Sequence, residues 1–275
     1  MEQSAAATSV EHSGNNAARG LSQQGEQRPR PPSKKRVLWS HFVSVPLNGE
    51  AEQAILQQFK EDVAERFAST VPPAAFITPA KLHFTLCMVK LPTPELVGAA
   101  AAVLQDCRPE MCRIAAQAGC SSPAGSLQVP LAPGLATFPG RNLAKTTVLF
   151  RHPRAESAAQ QVLHDVTALF IDAFNAAGIL CSPIEELQLH MTTVNMRYAA
   201  RGKSRPKPFH AADILEAYQA WPPATTAESP AVHLSVLSAP PEEDGYYHCA
   251  LRMPFDEAVQ AWQAPTQSPD KASER

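Results

Sequence analysis

The sequence predicts an α+β fold of two lobes related by a pseudo-twofold axis. Each lobe is read as a largely antiparallel sheet with helices on its outer side, and the sheets line a central cleft. Three observations lead there. The stretch Leu82-His83-Phe84-Thr85-Leu86 returns as Leu189-His190-Met191-Thr192-Thr193. An ungapped frame that lays His83 on His190 also lays Phe42 and Val43 on Leu149 and Phe150, and Pro46 on Pro153. It lays Ile55, Leu56, Phe59, Val63 and Phe67 on Val162, Leu163, Val166, Phe170 and Phe174. Each half therefore reads strand, proline, amphipathic helix, strand bearing His-x-Thr, the mark of an internal duplication. Finally, the remaining elements are short strands separated by helices, too few and too irregular for an extended doubly wound sheet.

The elements follow in order. Residues 1–36 are polar, lack apolar periodicity and contain the basic cluster Arg28 to Arg36, read as a disordered tail. That cluster is a nuclear-import signal, a weak RNA contact or merely a solvated linker. The folded domain is expected over 37–255, with repeats at about 37–91 and 143–197 and a frayed tail over 256–275. Val37 to Val45 reads as a strand closed by Pro46, and Glu50 to Ala68 as the first helix. Leu82 to Leu91 and Leu187 to Met196 are β-branched-rich apolar runs that read as the motif strands. Thr93-Pro94 opens a helix as N-cap and first residue; it is expected to reach Cys107 and to be ended or interrupted by Pro109. Leu127 to Phe138 reads as one or two interrupted strands. Gly140-Arg141-Asn142 reads as a turn, Leu143 to Arg151 as a strand and Pro153 to Ala177 as the longest helix, with Gly178 at its C-cap. A basic loop spans Arg197 to Lys207, with Arg201, Lys203 and Arg205. A short helix runs from Ala211 to Gln219. Val232 to Leu237 and Tyr246 to Met253 form a hairpin.

Composition narrows the function classes. A formal charge of -2 on 275 residues supplies no global attraction to nucleic acid or an anionic membrane, so a polyanion needs a local patch. No apolar run is long enough to span a membrane. The six cysteines include no C-x-x-C pair and no zinc-finger spacing, and no signal peptide precedes them. Reduced thiols in a cytoplasmic or nuclear monomer are expected, with no cofactor.

In a strand, residues i and i+2 share a face. Each motif thus sets an imidazole beside a hydroxyl. Two such pairs facing each other supply two proton-transfer groups and two hydroxyl donors around a phosphodiester, without a metal. The rival readings are two satisfied strand histidines, or metal ligands lacking an evident third partner. In the last strand Tyr247, Cys249, Leu251 and Met253 alternate as the apolar face, which turns Tyr246, His248 and Arg252 the other way. Tyr246 and His248 are therefore candidate substrate contacts, Tyr246 by stacking on a base or else as a plain surface tyrosine.

His83-Phe84-Thr85-Leu86 and His190-Met191-Thr192-Thr193 resemble the paired H-x-[ST]-x motifs of the 2H phosphoesterase superfamily, whose fold is LigT-like. The flanks Phe42 to Leu47, Lys81 to Leu86, Leu189 to Asn195, Phe209 to Leu215 and Gly245 to Cys249 are similar to the A-kinase anchor protein 7-like phosphoesterase domain, also found in activating signal cointegrator 1 complex subunit 1. The resemblance covers about Val37 to Met253. It implies metal-free hydrolysis or nucleotide binding, with 2',3'-cyclic phosphates, 2',5'-linked oligonucleotides or RNA ends as partners. It also implies His83 and His190 as acid and base, and Thr85 and Thr192 as phosphate ligands. Thr193 departs from the pattern, standing where the family usually has an apolar residue. The alternative within the resemblance is a non-catalytic nucleotide-binding or scaffold protein that keeps the cleft.

Overall fold

The computed structural model describes residues 37–140, 142–200 and 204–256. The polar tail and its basic cluster, Arg141 of the expected turn, Arg201 and Lys203 of the basic loop, and the segment after Asp256 lie outside the described residues. The elements run β1 (His41–Pro46), α1 (Glu50–Arg66), β2 (His83–Val89), α2 (Pro94–Gln117), β3 (Leu127–Leu131), β4 (Val148–Arg151), α3 (Ala158–Ala176), β5 (Met191–Asn195), α4 (Met196–Ala199), α5 (Ala212–Ala217), β6 (Thr225–Ser229), β7 (Ala231–Val236) and β8 (Cys249–Pro254). Every strand pairing is antiparallel. One sheet has four strands in the order β2-β1-β7-β8; β3 pairs with β6 and β4 with β5.

The repeated helices bury the face their spacing marks: Leu56, Phe59 and Val63 on α1, and Leu163, Val166 and Phe170 on α3. They cross over. α3 packs on β2 of the other half, while Glu52, Leu56 and Phe59 of α1 share a small cavity with Arg151 and Met191 from β4 and β5. Each helix thus covers the partner half's sheet and ties the lobes together.

Bulges sit at matching places. In β1–β2 the register shifts between Val43 and Ser44, with Ser44 opposite Thr85. In β4–β5 it shifts between Leu149 and Phe150, with Phe150 opposite Thr192. Ser44 therefore corresponds to Phe150 and Val45 to Arg151, so the ungapped frame slips by one residue in the first strand. Thr193 is buried, and its hydroxyl donates to the Leu149 carbonyl at the bulge, 3.0 Å away. A backbone partner at that irregular step accommodates a hydroxyl at an otherwise apolar position.

Several expectations are corrected. α2 opens as expected, with Thr93 Oγ1 accepting from the Leu96 amide at 3.4 Å and Pro94 in the first turn, but it runs through Pro109 to Gln117 and is the longest helix. Met111, Cys112 and Ala115 beyond the proline are buried, which offsets the missing backbone bond. Leu143–Lys145 is a 3-10 turn, so β4 is shorter than the run suggested. β6 was not foreseen: in Thr-Thr-Ala-Glu-Ser only Ala227 and Ser229 are buried, too faint a pattern. The last strand starts at Cys249, not Tyr246. All six cysteines are free. Among the described residues no helix is long and apolar enough to cross a membrane.

Candidate functional site

Each motif is delivered by the same device. A 3-10 turn, Pro79–Lys81 or Ile184–Glu186, leads into it. The segment preceding each motif then pairs with the other motif's strand: Phe76 bridges Val194 of β5, and Cys181 bridges Val89 of β2. The Ile77 amide donates to the Thr193 carbonyl at 3.1 Å, and the Ser182 amide to the Met88 carbonyl at 2.8 Å. These reciprocal bridges hold the two motif strands side by side.

The histidines are tethered alike. His83 Nδ1 donates to the Lys81 carbonyl at 2.7 Å, and His190 Nδ1 to the Gln188 carbonyl at 2.6 Å. In each case the acceptor lies two residues upstream, so in the neutral ring Nε2 carries the free lone pair. The Thr85 hydroxyl donates to His83 Nε2 across 3.1 Å, the side-by-side pairing expected of i and i+2. Phe42 and Tyr247 flank His83 with ring centroids at 5.1 and 5.5 Å. Phe138 and Phe150 flank His190 at 5.2 and 5.3 Å. Thr85 and His190 line one cleft of about 340 Å³ together with Trp39, Met88, Phe138 and Gln188. Thr192 is half-buried on β5, opposite Phe150.

Burial holds both rings neutral. It pushes His83 down to about 4, opposed by the Lys81 carbonyl and reinforced by the nearby His190. It lowers His190 as well, opposed by the Gln188 carbonyl. His233, in register with Ser44, is pushed down to about 3 by burial and by the Arg252 charge. The linkage has a definite sign. As pH falls below about 6.5 the unfolded chain takes up imidazole protons that the folded chain refuses. Stability is therefore full above that value and declines until the folded rings titrate at about 4 and about 3. The expected loss by pH 4.5 is about 2–3 kcal/mol for each ring. Urea unfolding at pH 7 and pH 4.5 reads it, and a His83→Gln/His233→Gln variant should show a flatter dependence.

The structure brings His83, Thr85 and His190 together. It does not turn Tyr246 outward. That ring is 1% exposed, and its hydroxyl lies 3.0 Å from Ser44 Oγ. Strand alternation misled because residues 245–248 are not strand; Gly245, with φ of 80°, turns the chain over the sheet. His248 is exposed, 3.7 Å from Glu242, and its charge bears on His41, at the end of the sheet away from His83. Ser44, Trp39, Phe138 and Tyr247 were missed. Ser44 faces Thr85 only through the strand register, and Trp39 and Phe138 meet only across the halves, so no local pattern announces them. Among the described residues no group of three or more His, Cys, Asp or Glu is placed to hold a metal ion.

Comparison with known proteins adds three findings. The model of the AKAP7 2'5' RNA ligase-like domain matches residues 39–255. A search of curated proteins found no match. Among solved structures, the protein TT0787 of Thermus thermophilus is similar at 15% identity and a TM-score of 0.43, covering 78% of this chain and 97% of that one. E. coli LigT complexed with 3'-AMP is similar at 16% identity and a TM-score of 0.40, covering 73% of this chain and 89% of that one.

Proposed function

On the premise that this chain belongs to the AKAP7 2'5' RNA ligase-like domain family, we propose that it is a metal-independent phosphodiesterase. Family membership supports a 2H phosphoesterase-type activity. The substrate is a small nucleotide or RNA-terminal phosphodiester, 2',3'-cyclic or 2',5'-linked. The observation that supports the reading most is the matched pair of Nδ1 tethers, which leaves two Nε2 atoms for proton transfer.

His83 acts as base and His190 as acid; burial pushes the His83 ring down to about 4, which keeps it neutral and able to accept a proton over a wide pH range. His83 Nε2 takes a proton from water as the water oxygen attacks phosphorus. The bond from phosphorus to the leaving ribose oxygen breaks, and His190 gives that oxygen a proton. Thr85 and Thr192 donate to the non-bridging oxygens, where charge grows. The Thr85 hydroxyl occupies His83 Nε2 in the absence of substrate; an arriving phosphate oxygen takes over that hydroxyl and frees the base. A bound phosphate also favours protonated His190, raising a group that burial alone lowers.

The test is turnover of 2',3'-cyclic nucleotides and 2',5'-oligoadenylate in EDTA. Expected is hydrolysis with a bell-shaped pH dependence of kcat/KM, its maximum on the acid side of about 6.5. Turnover abolished by EDTA removes the metal-free mechanism. Tight nucleotide binding without turnover of any substrate leaves the binding-protein alternative instead.

A further inference from the structure

We propose that Lys81, its ammonium stacked on the Tyr247 ring beside His83, binds a second phosphate of the substrate, next to the one that is cleaved. The favoured substrate is then an oligonucleotide, or a nucleotide bearing a further phosphate, and not a phosphodiester with a single phosphate. Which phosphate is cleaved rests on the phosphodiesterase reading; the anion site itself does not depend on turnover.

Lys81 closes the 3-10 turn that leads into the first motif. Its carbonyl receives His83 Nδ1 at 2.7 Å, and its side chain folds over Tyr247, with Nζ 4.7 Å from the ring centroid. Tyr247 is fixed in turn by T-shaped contacts to His83 at 5.5 Å, Phe42 at 4.9 Å and Tyr246 at 5.4 Å. An aromatic face attracts a cation without neutralising it. Among the described residues no carboxylate pairs with this ammonium, and the side chain is half-buried. A positive charge is thus kept at a set place and left open to a ligand.

The site is otherwise short of positive charge. The cleft lining includes the carboxylate of Glu186 and no lysine or arginine. The side chains in contact with His83 are Thr85, Phe42, Tyr246 and Tyr247, and those with His190 are Phe138 and Phe150. None is a cation, and burial holds both imidazoles neutral. A phosphate drawn out of water needs a countercharge, and lysine binds phosphate as a point charge. The internal duplication orients the substrate. It sets Gln188 where the first half has Lys81, each carbonyl receiving a histidine Nδ1, and Gln188 lines the cleft. The His190 end therefore carries a neutral amide with Glu186 nearby, and the His83 end carries the lysine. An additional anionic group is favoured at the His83 end alone. The ammonium and His83 take separate places around Tyr247, so Nζ stands off from the imidazole, toward a neighbouring phosphate rather than the one between the histidines.

The experiment measures binding without turnover. Adenosine 5'-monophosphate, adenosine 3',5'-bisphosphate and adenosine 2',5'-bisphosphate are titrated calorimetrically into wild type, Lys81→Met, Lys81→Arg and Tyr247→Leu. One of the bisphosphates should bind the wild type about 10- to 100-fold more tightly than the monophosphate, the scale of one charge-assisted contact. Lys81→Met should cut that advantage to about twofold or less. Lys81→Arg should keep most of it, because a guanidinium also stacks on an aromatic ring and binds phosphate. Tyr247→Leu releases the lysine and should lower the advantage several-fold. Added salt should shrink the wild-type advantage. Lys81→Met should unfold within about 2 °C of wild type, which separates lost binding from lost folding. A bisphosphate advantage absent from the wild type, or retained in Lys81→Met, overturns the inference. In the turnover arm, a 2',5'-linked adenylyl dimer is compared with the same dimer carrying a terminal phosphate, and kcat/KM should show the same preference in wild type and lose it in Lys81→Met. Should the wild type bind these nucleotides and cleave no phosphodiester, the phosphodiesterase reading fails, and the binding series still decides the role of Lys81.

Discussion

His190→Ala should lower kcat for its phosphodiester substrate by about 10²–10⁴-fold, and His83→Ala by a similar factor, with KM changed far less. Each ring supplies a single working nitrogen, Nε2, because Nδ1 is committed to the Gln188 or Lys81 carbonyl. On the proposed mechanism, truncation removes proton transfer at one end of the reaction and leaves in place the hydroxyls and the aromatic walls of the cleft. The two losses should not multiply. In the proposed mechanism base and acid act in one transfer, so the double variant should be about as slow as either single one. Single-turnover kinetics on all three variants, with circular dichroism as a folding control, reads the effect. Retention of kcat in His190→Ala would remove that ring from the chemistry. An intact kcat with raised KM would make it a binding group.

What could be read from the chain is what local periodicity encodes. The helical spacing of Leu56, Phe59 and Val63, and of Leu163, Val166 and Phe170, marks faces that are buried. The run Leu82 to Leu91 does hold the strand His83–Val89, whereas of the run Leu187 to Met196 only Met191–Asn195 is strand and His190 stands just before it. What local pattern does not encode was missed for identifiable reasons. The exchange of α1 and α3 between halves is decided by packing. The slip that pairs Val45 with Arg151 arises at bulges, which no run of residues announces. Pro109 inside α2 contradicts its intrinsic preference and is outvoted by the buried turn beyond it. Nothing in the local pattern marks Glu52 and Arg151 as the buried charges they are.

Tyr246→Ala should cost about 3–5 kcal/mol of stability, the scale of emptying a buried aromatic site. The ring is sealed between His233 at 5.2 Å, Tyr247 at 5.4 Å and His83 at 6.4 Å. Its hydroxyl meets Ser44, which lies directly opposite Thr85 in the sheet. Tyr246→Phe keeps the ring and removes only the hydroxyl's partnership with a fully buried serine, a cost of about 1–2 kcal/mol. The alanine variant should also change the reaction's pH dependence. Water entering beside His83 weakens the desolvation that holds its ring at about 4, so its pKa climbs back toward about 6.5 and the acid limb of kcat/KM moves up in pH. Urea denaturation and a pH profile on the same three proteins separate this role from the one that strand alternation suggested. A ring serving as an outward platform for a base would behave oppositely: alanine would raise KM, leave the unfolding midpoint unchanged and leave the acid limb where it was.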